Sequence, residues 1–231
     1  MSIKEFREIE PNSSDKIIVD LLYYIESRLP EFINSPEFSN VLAHKKNENQ
    51  HSLSFCLYMT NGCKSIFCFQ RENSQLGSST IDIGIYFGSS LIFTIEAKIL
   101  PTPKTKSRCV HEYVYAEKCG GVQRFKQGNH GVDNRNNYFL ESGMIAYIKE
   151  NDFDYWLNTV NQWISQVGWH DSEKLEKVYF KSIARLISKH SRQTKQPDTP
   201  DITLHHFWVY VGAHLKTPPR PRNNAGFQAR N

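Results

Sequence analysis

The sequence predicts an α/β domain: a central mixed sheet with an antiparallel hairpin and flanking helices. Three observations carry this. SDKIIVDLLYYIESR, residues 14–28, sets Ile17, Ile18, Leu21, Leu22 and Ile25 at helical spacing. TIDIGIYF and LIFTIEAKIL are apolar, strand-like segments on either side of Gly88-Ser89-Ser90, a turn signal. Residues 152–166 place Phe153, Trp156, Leu157, Val160, Trp163 and Ile164 on one side of a second amphipathic helix. With 231 residues and 39% hydrophobic content the chain can bury one sizeable core. Residues 1–215 are therefore expected to form a single domain, and 216–231 a basic, proline-containing, flexible tail.

The elements follow in order. Ser14 or Asp15 suits the cap of the first helix and Pro30 its end. HKKNENQ, residues 44–50, reads as a polar loop. Strands are expected near 52–60 and 64–71, joined by Thr60-Asn61-Gly62, with Glu72 at the end of the second. The hairpin of residues 80–100 comes next, followed by the loop PTPKTKSRCVHEY, whose prolines forbid a helix. GVQRFKQ is a short helix that Gly128 ends, anchored by Val122 and Phe125. A strand is expected near 143–149, then the 152–166 helix with Asp152 as its cap. Within 173–189 a further helix would align Lys174, Lys177, Lys181 and Arg185, either as a DNA-facing stripe or as a solvated face. Residues 193–201 form a linker, and ITLHHFWVYVG is a late strand with His205 and His206 on opposite faces, structural or solvent-facing.

Net charge is +4 with a pI near 8.7, compatible with a polyanionic partner. No apolar run reaches the ~18 residues of a membrane span. The start, MSIKEFREIEPNSSDK, lacks the apolar core of a signal peptide, which points to the cytoplasm. The five cysteines show no Cys-x-x-Cys pair, and no His/Cys cluster has zinc spacing.

Chemistry concentrates in the hairpin. Alternation puts Asp82 with Thr80, Gly84 and Tyr86, away from Ile81, Ile83, Ile85 and Phe87. It puts Glu96 and Lys98 together on the second strand, and a hairpin folded about Ser89 sets Asp82 opposite Glu96. Burying two carboxylates and an amine costs several kcal/mol unless they are paired or bind a metal.

An Asp, a hairpin and then Glu-x-Lys resembles the PD-(D/E)XK superfamily of restriction-endonuclease-like nucleases, over about residues 79–99. Ile81 stands where the proline of that motif would be. The resemblance implies a restriction-endonuclease-like core: a helix, an antiparallel strand run, a helix and a further strand. It implies a Mg²⁺-dependent nuclease, with Mn²⁺ as a substitute, in which Asp82, Glu96 and the Ala97 carbonyl hold the ion and Lys98 assists the attacking water. Gln123 matches the polar residue that members often carry on the next helix. Arg124 and Lys126, with Lys104, Lys106 and Arg108 from the loop beyond the hairpin, are expected on phosphates. A further acidic residue is expected from Glu72 or, alternatively, Glu26. DNA is the expected substrate, restriction or antiviral defence the expected setting, and a partner protein could direct targeting. The alternatives are a non-catalytic nucleic-acid-binding module with the nuclease fold, and a protein-interaction subunit using Tyr113, Tyr115, Trp169 and the basic tail.

Overall fold

The computed structural model describes residues 14–43, 48–63, 66–75, 79–103, 105, 108–117, 120–196 and 198–212. Three helices come first: α1 (Ser14–Ile33), α2 (Pro36–Ala43) and α3 (Glu48–Gly62). Three strands follow: β1 (Phe67–Ser74), β2 (Thr80–Phe87) and β3 (Ser90–Leu100). Then come the short helix α4 (Gly121–Lys126), β4 (Glu141–Ile148) and α5 (Phe153–Gln166). The last strands are β5 (Glu176–Phe180), β6 (Ile183–His190) and β7 (Ile202–Tyr210).

All seven strands join one mixed sheet in the order β1-β2-β3-β4-β7-β6-β5. The first three are antiparallel, β3 runs parallel to β4 and β4 to β7, and the β7-β6-β5 half is antiparallel again. A parallel step needs a crossover, and residues 101–140 supply it for β3 to β4, carrying α4. The chain is thus an α/β protein with helices on both faces of its sheet.

Two apolar layers follow. On one face Leu21, Ile25, Phe32, Phe38 and Phe55 of α1–α3 pack on Ile83, Phe93, Ile95, Tyr147 and Phe207. On the other, Val122, Phe125, Trp156, Val160 and Ile164 pack on Met144, Ala146, Leu186 and Trp208. Being covered on both sides, β3 is buried from Phe93 to Leu100, charged residues included.

The first helix, the hairpin, α4, β4, α5 and β7 stand where the sequence puts them, and Asp152 caps α5 by accepting from Tyr155 N at 2.8 Å. Other expectations need correction. α1 runs through Pro30 to Ile33, because the extra turn buries Phe32 and Ile33. The expected strand 52–60 and part of the 44–50 loop are helix α3, which buries Ser52, Phe55, Cys56 and Met59. Exposed Leu53 and Leu57 mask that helical period. Thr60-Asn61-Gly62 ends the helix rather than turning a hairpin. The 173–189 segment is a β5–β6 hairpin, so its cations form no stripe: Lys174 pairs with Asp171, Lys177 lies near Asp154, and Arg185 is buried against Glu26. His205 and His206 do face opposite layers, but both are buried. The expected tail 216–231 lies outside the described residues, among which no helix is long and apolar enough to cross a membrane.

Entry into α4 is tight. A Cβ on Gly120 would lie 2.2 Å from the Tyr115 Cα, a backbone atom that cannot swing aside. Gly120→Ala is expected to cost about 1–3 kcal/mol, the usual range for overpacking, read as a lower urea midpoint at unchanged slope. An unchanged midpoint contradicts this packing.

Candidate active site

The β2–β3 ladder pairs Ile83 with Ile95, the register that would set Asp82 opposite Glu96. The ladder stops there. Instead, the Asp82 Oδ2 accepts a hydrogen bond from Ala97 N at 2.8 Å, so a carboxylate takes the place of a backbone carbonyl. Side-chain alternation breaks at this point. Ile83 and Ile85 belong to the α1–α3 layer, but Ile81 belongs to the α4–α5 layer. On the neighbouring strand Glu72 has φ of +54°, and Asn73, though opposite Ile81, sits under Gly84 and bonds the Tyr86 hydroxyl at 2.7 Å. The expectation of regular alternation through Ile81 is therefore corrected: Asp82 stands at the reversal.

Glu96 is fully buried on β3. Its Oε1 accepts from Lys98 Nζ at 2.6 Å and from Arg124 Nη1 at 2.8 Å. Its Oε2 makes no hydrogen bond, with His130 Nδ1 at 3.4 Å and out of line for one. Arg124 comes from α4, and Gly121 lets that helix close down: a Cβ there would meet the Met144 side chain at 2.7 Å and Lys98 Cε at 3.5 Å. Lys98 also donates to Ala97 O at 3.0 Å and lies 3.7 Å from Glu48 Oε1.

Electrostatics follow the geometry. Burial, reinforced by the Glu96 charge, pushes Asp82 up to about 7. Burial works against the Lys98 ammonium, but the Glu96, Glu48 and Asp82 carboxylates outweigh it and raise its pKa. His130 is pushed down to about 3 by burial and by Arg124 and Lys98, so its ring is neutral.

Asp82, Glu96, Ala97 and Lys98 thus form one cluster, joined by Arg124 and His130. The other expected residues do not join it as foreseen. Gln123 spends its side-chain oxygen on Gly120 N and Ala116 N, at 2.9 and 3.1 Å, which fixes the loop before α4. Lys126 is buried, bonded to Glu173 and lying over the Trp169 ring, so it offers no surface for phosphate. Arg108 is tied to Glu112 and Glu48. Lys104 and Lys106 lie outside the described residues. Glu72 is exposed and pairs with Arg71. Glu26 bonds Arg185 on β6 and Tyr179 on β5, three and four strands from β3. Tyr113 is fully buried, so it is no partner-binding surface. The acidic residue that does reach the cluster is Glu48, in the first turn of α3, inside text that reads as a loop. An acidic residue opening a segment with Ser52, Phe55, Cys56 and Met59 at helical spacing was its only signal.

A divalent ion fits part of this arrangement. The unbonded, buried Glu96 Oε2 is a ready ligand; Asp82 feels the Glu96 charge, and the Ala97 carbonyl accepts from the same Lys98 that binds Glu96. Among the described residues, no three His, Cys, Asp or Glu side chains converge as a metal site. A protein share of two carboxylates and a carbonyl suits Mg²⁺, which keeps several of its waters. Comparison of the chain with family models, with curated proteins and with solved structures finds no match. The cluster is therefore interpreted on its own geometry.

Asp82 yields a pH prediction. Its folded-state pKa, about 7, exceeds the ordinary carboxyl value, so the native state holds that proton more tightly than the unfolded chain. This contribution is complete below the unfolded pKa and is lost as pH rises through 7. In EDTA, unfolding free energy should therefore fall from pH 4 to 7, by at most ~1.4 kcal/mol per pH unit from this group. Asp82→Asn should flatten that slope and gain stability relative to wild type at pH 8, measured by urea unfolding. Parallel pH profiles for the two proteins would contradict the assignment.

Proposed function

We propose that this chain is a Mg²⁺-dependent nuclease that hydrolyses phosphodiester bonds, with DNA as its substrate. One observation carries the reading. A fully buried glutamate, Glu96, has one oxygen anchored by two cations and the other unbonded, next to a second carboxylate, Asp82, that feels its charge. A carboxylate kept in this state at the centre of a sheet is costly unless something completes it.

Mg²⁺, or Mn²⁺ in its place, would be held by Asp82, Glu96 Oε2 and the Ala97 carbonyl. When bound, such an ion acidifies a coordinated water and neutralises charge on phosphoryl oxygens. The chain's own residues divide the remaining work. Lys98 is kept protonated by the carboxylates around it, so it does not accept the water's proton. It acts as a fixed cation that orients the water or stabilises developing negative charge. Arg124 holds Glu96 in place and is partly open to solvent, where a phosphate can approach. His130, neutral, closes the buried side of Glu96.

The element order supports a restriction-endonuclease-like core: helices, three antiparallel strands, a helix, and a strand parallel to the third. Restriction or antiviral defence, with a partner protein that directs targeting, is the biological setting we favour, by analogy with that class. The second reading is a nucleic-acid-binding module with this fold and no chemistry. It is favoured by the cations Lys98 and Arg124, which already neutralise Glu96, and by the lack of a converged third carboxylate among the described residues.

Cleavage of linear, circular and single-stranded DNA and of RNA in Mg²⁺ or Mn²⁺, abolished by EDTA, tests the reading. Binding without cleavage in both metals supports the module instead. Asp82→Asn and Glu96→Gln should abolish cleavage and weaken metal binding. Lys98→Ala should retain metal binding but lose at least ~10²-fold in turnover. Wild-type turnover in Lys98→Ala would remove the lysine from the mechanism.

A further inference from the structure

Six side chains of alternating charge run from the 101–120 crossover to α4. Arg108 grips Glu112 with two nitrogens, Nε to Oε2 at 2.6 Å and Nη2 to Oε1 at 3.0 Å. The same Nη2 donates to Glu48 Oε2 at 3.1 Å. Glu48 Oε1 lies 3.7 Å from Lys98 Nζ, which in turn bonds Glu96, held also by Arg124. Glu48 and Glu96 therefore share one ammonium, yet Glu48 is drawn the other way by Arg108. Among these six side chains one buried polar atom is left over, Glu96 Oε2.

We propose that Arg108 is a positioning residue that withholds the Glu48 carboxylate from the metal site, and that a phosphodiester group of a polynucleotide releases Glu48 by taking over the guanidinium. The inference rests on the nuclease reading and deepens it. Arg108 is partly exposed, so a phosphate can reach it from solvent, whereas Glu48 and Lys98 lie deeper. A guanidinium binds phosphate in the same forked geometry as a carboxylate. Its link to Glu48 is a single bond through a nitrogen already shared with Glu112, so that link is the one a phosphate displaces. Once released, Glu48 keeps Lys98 as its ion-pair partner, with the Lys149 charge also acting on it, and supplies the third carboxylate that the cluster lacks. Metal and nucleic acid then bind cooperatively, and the coupling is reciprocal: each tightens the other by the same factor.

Calorimetric titration of the full chain with Ca²⁺, without nucleic acid, tests this. Ca²⁺ takes the same oxygen ligands as Mg²⁺. Arg108→Gln should bind Ca²⁺ about tenfold more tightly than wild type, the size of a one-unit charge effect on a neighbouring carboxylate. The gain should vanish in Arg108→Gln combined with Glu48→Gln. Arg108→Lys keeps the charge but loses the two-nitrogen fork on Glu112 that aims the cation at Glu48, so it should share part of the gain and guards against a folding artefact. Single-stranded DNA should tighten Ca²⁺ binding to wild type and not to Arg108→Gln. The proposal is overturned if Arg108→Gln binds Ca²⁺ as wild type does, or if the gain survives in the double variant, which would mark a general charge effect. If wild type binds Ca²⁺ and Asp82→Asn does not, such a result removes this inference alone. If no variant and no wild-type protein binds Ca²⁺ or Mg²⁺, the nuclease reading fails and takes this inference with it.

Discussion

A buried carboxylate governs this molecule. Glu96 lies in the third of seven strands, with apolar layers above and below it. Removing such a charge from water costs several kcal/mol, recovered only by close, well-oriented partners. Lys98 and Arg124 are those partners, and each has demands of its own. Lys98 must be on the same face of the same strand, two residues away. Arg124 must be brought down from α4, which requires glycine at position 121 and a crossover long enough to carry the helix over the sheet. The reversal of β2 at Asp82, which caps Ala97 N with a carboxylate, places a second negative charge beside the first.

The crossover is fixed by a second polar chain in the α4–α5 layer. Trp208 can only donate, and it donates to the Tyr113 hydroxyl at 2.9 Å. The Tyr113 hydroxyl bonds His206 Nδ1 at 2.7 Å, and His206 Nε2 bonds Ser188 at 2.8 Å. Ser188 also bonds His190 Nε2 at 2.7 Å, and His190 Nδ1 lies 3.6 Å from Glu173. Lys126 closes the chain on Glu173. Tyr113 O also accepts from Val122 N, so the chain that holds Tyr113 holds the start of α4 as well. His206, His190 and Lys126 are thus scaffold for the crossover that delivers Arg124 to Glu96.

Legibility of the site divides along the same line. Asp82, Glu96 and Lys98 were readable because a short turn joins two apolar strands, although the turn at Gly88-Ser89 alone would set Asp82 opposite Ile95 and a bulge between Ile85 and Tyr86 restores the expected register. Glu48 was not, because α3 mixes Ser, Cys and Tyr with two exposed leucines and shows little helical period. The cations were the least readable. Arg108, Lys126 and Arg185 have the same composition-level signature as surface lysines and arginines, but each is tied to a carboxylate far away in sequence: Glu48, Glu173 and Glu26.

By itself the sequence determined the local parts: two amphipathic helices, the hairpin, the glycine-bounded α4, and a Glu-x-Lys triplet embedded in apolar strand. These depend on side-chain periodicity and turn chemistry over a few residues, which a linear text records. Only the tertiary structure decided that residues 52–60 are helical, that residues 176–190 pair as strands, and which acid and which cations stand at Glu96. Those outcomes depend on what covers each face and on charge pairs closed across long stretches of chain. A buried ion pair is stable only in the complete fold that excludes water from it, so its partners are chosen by packing rather than by spacing.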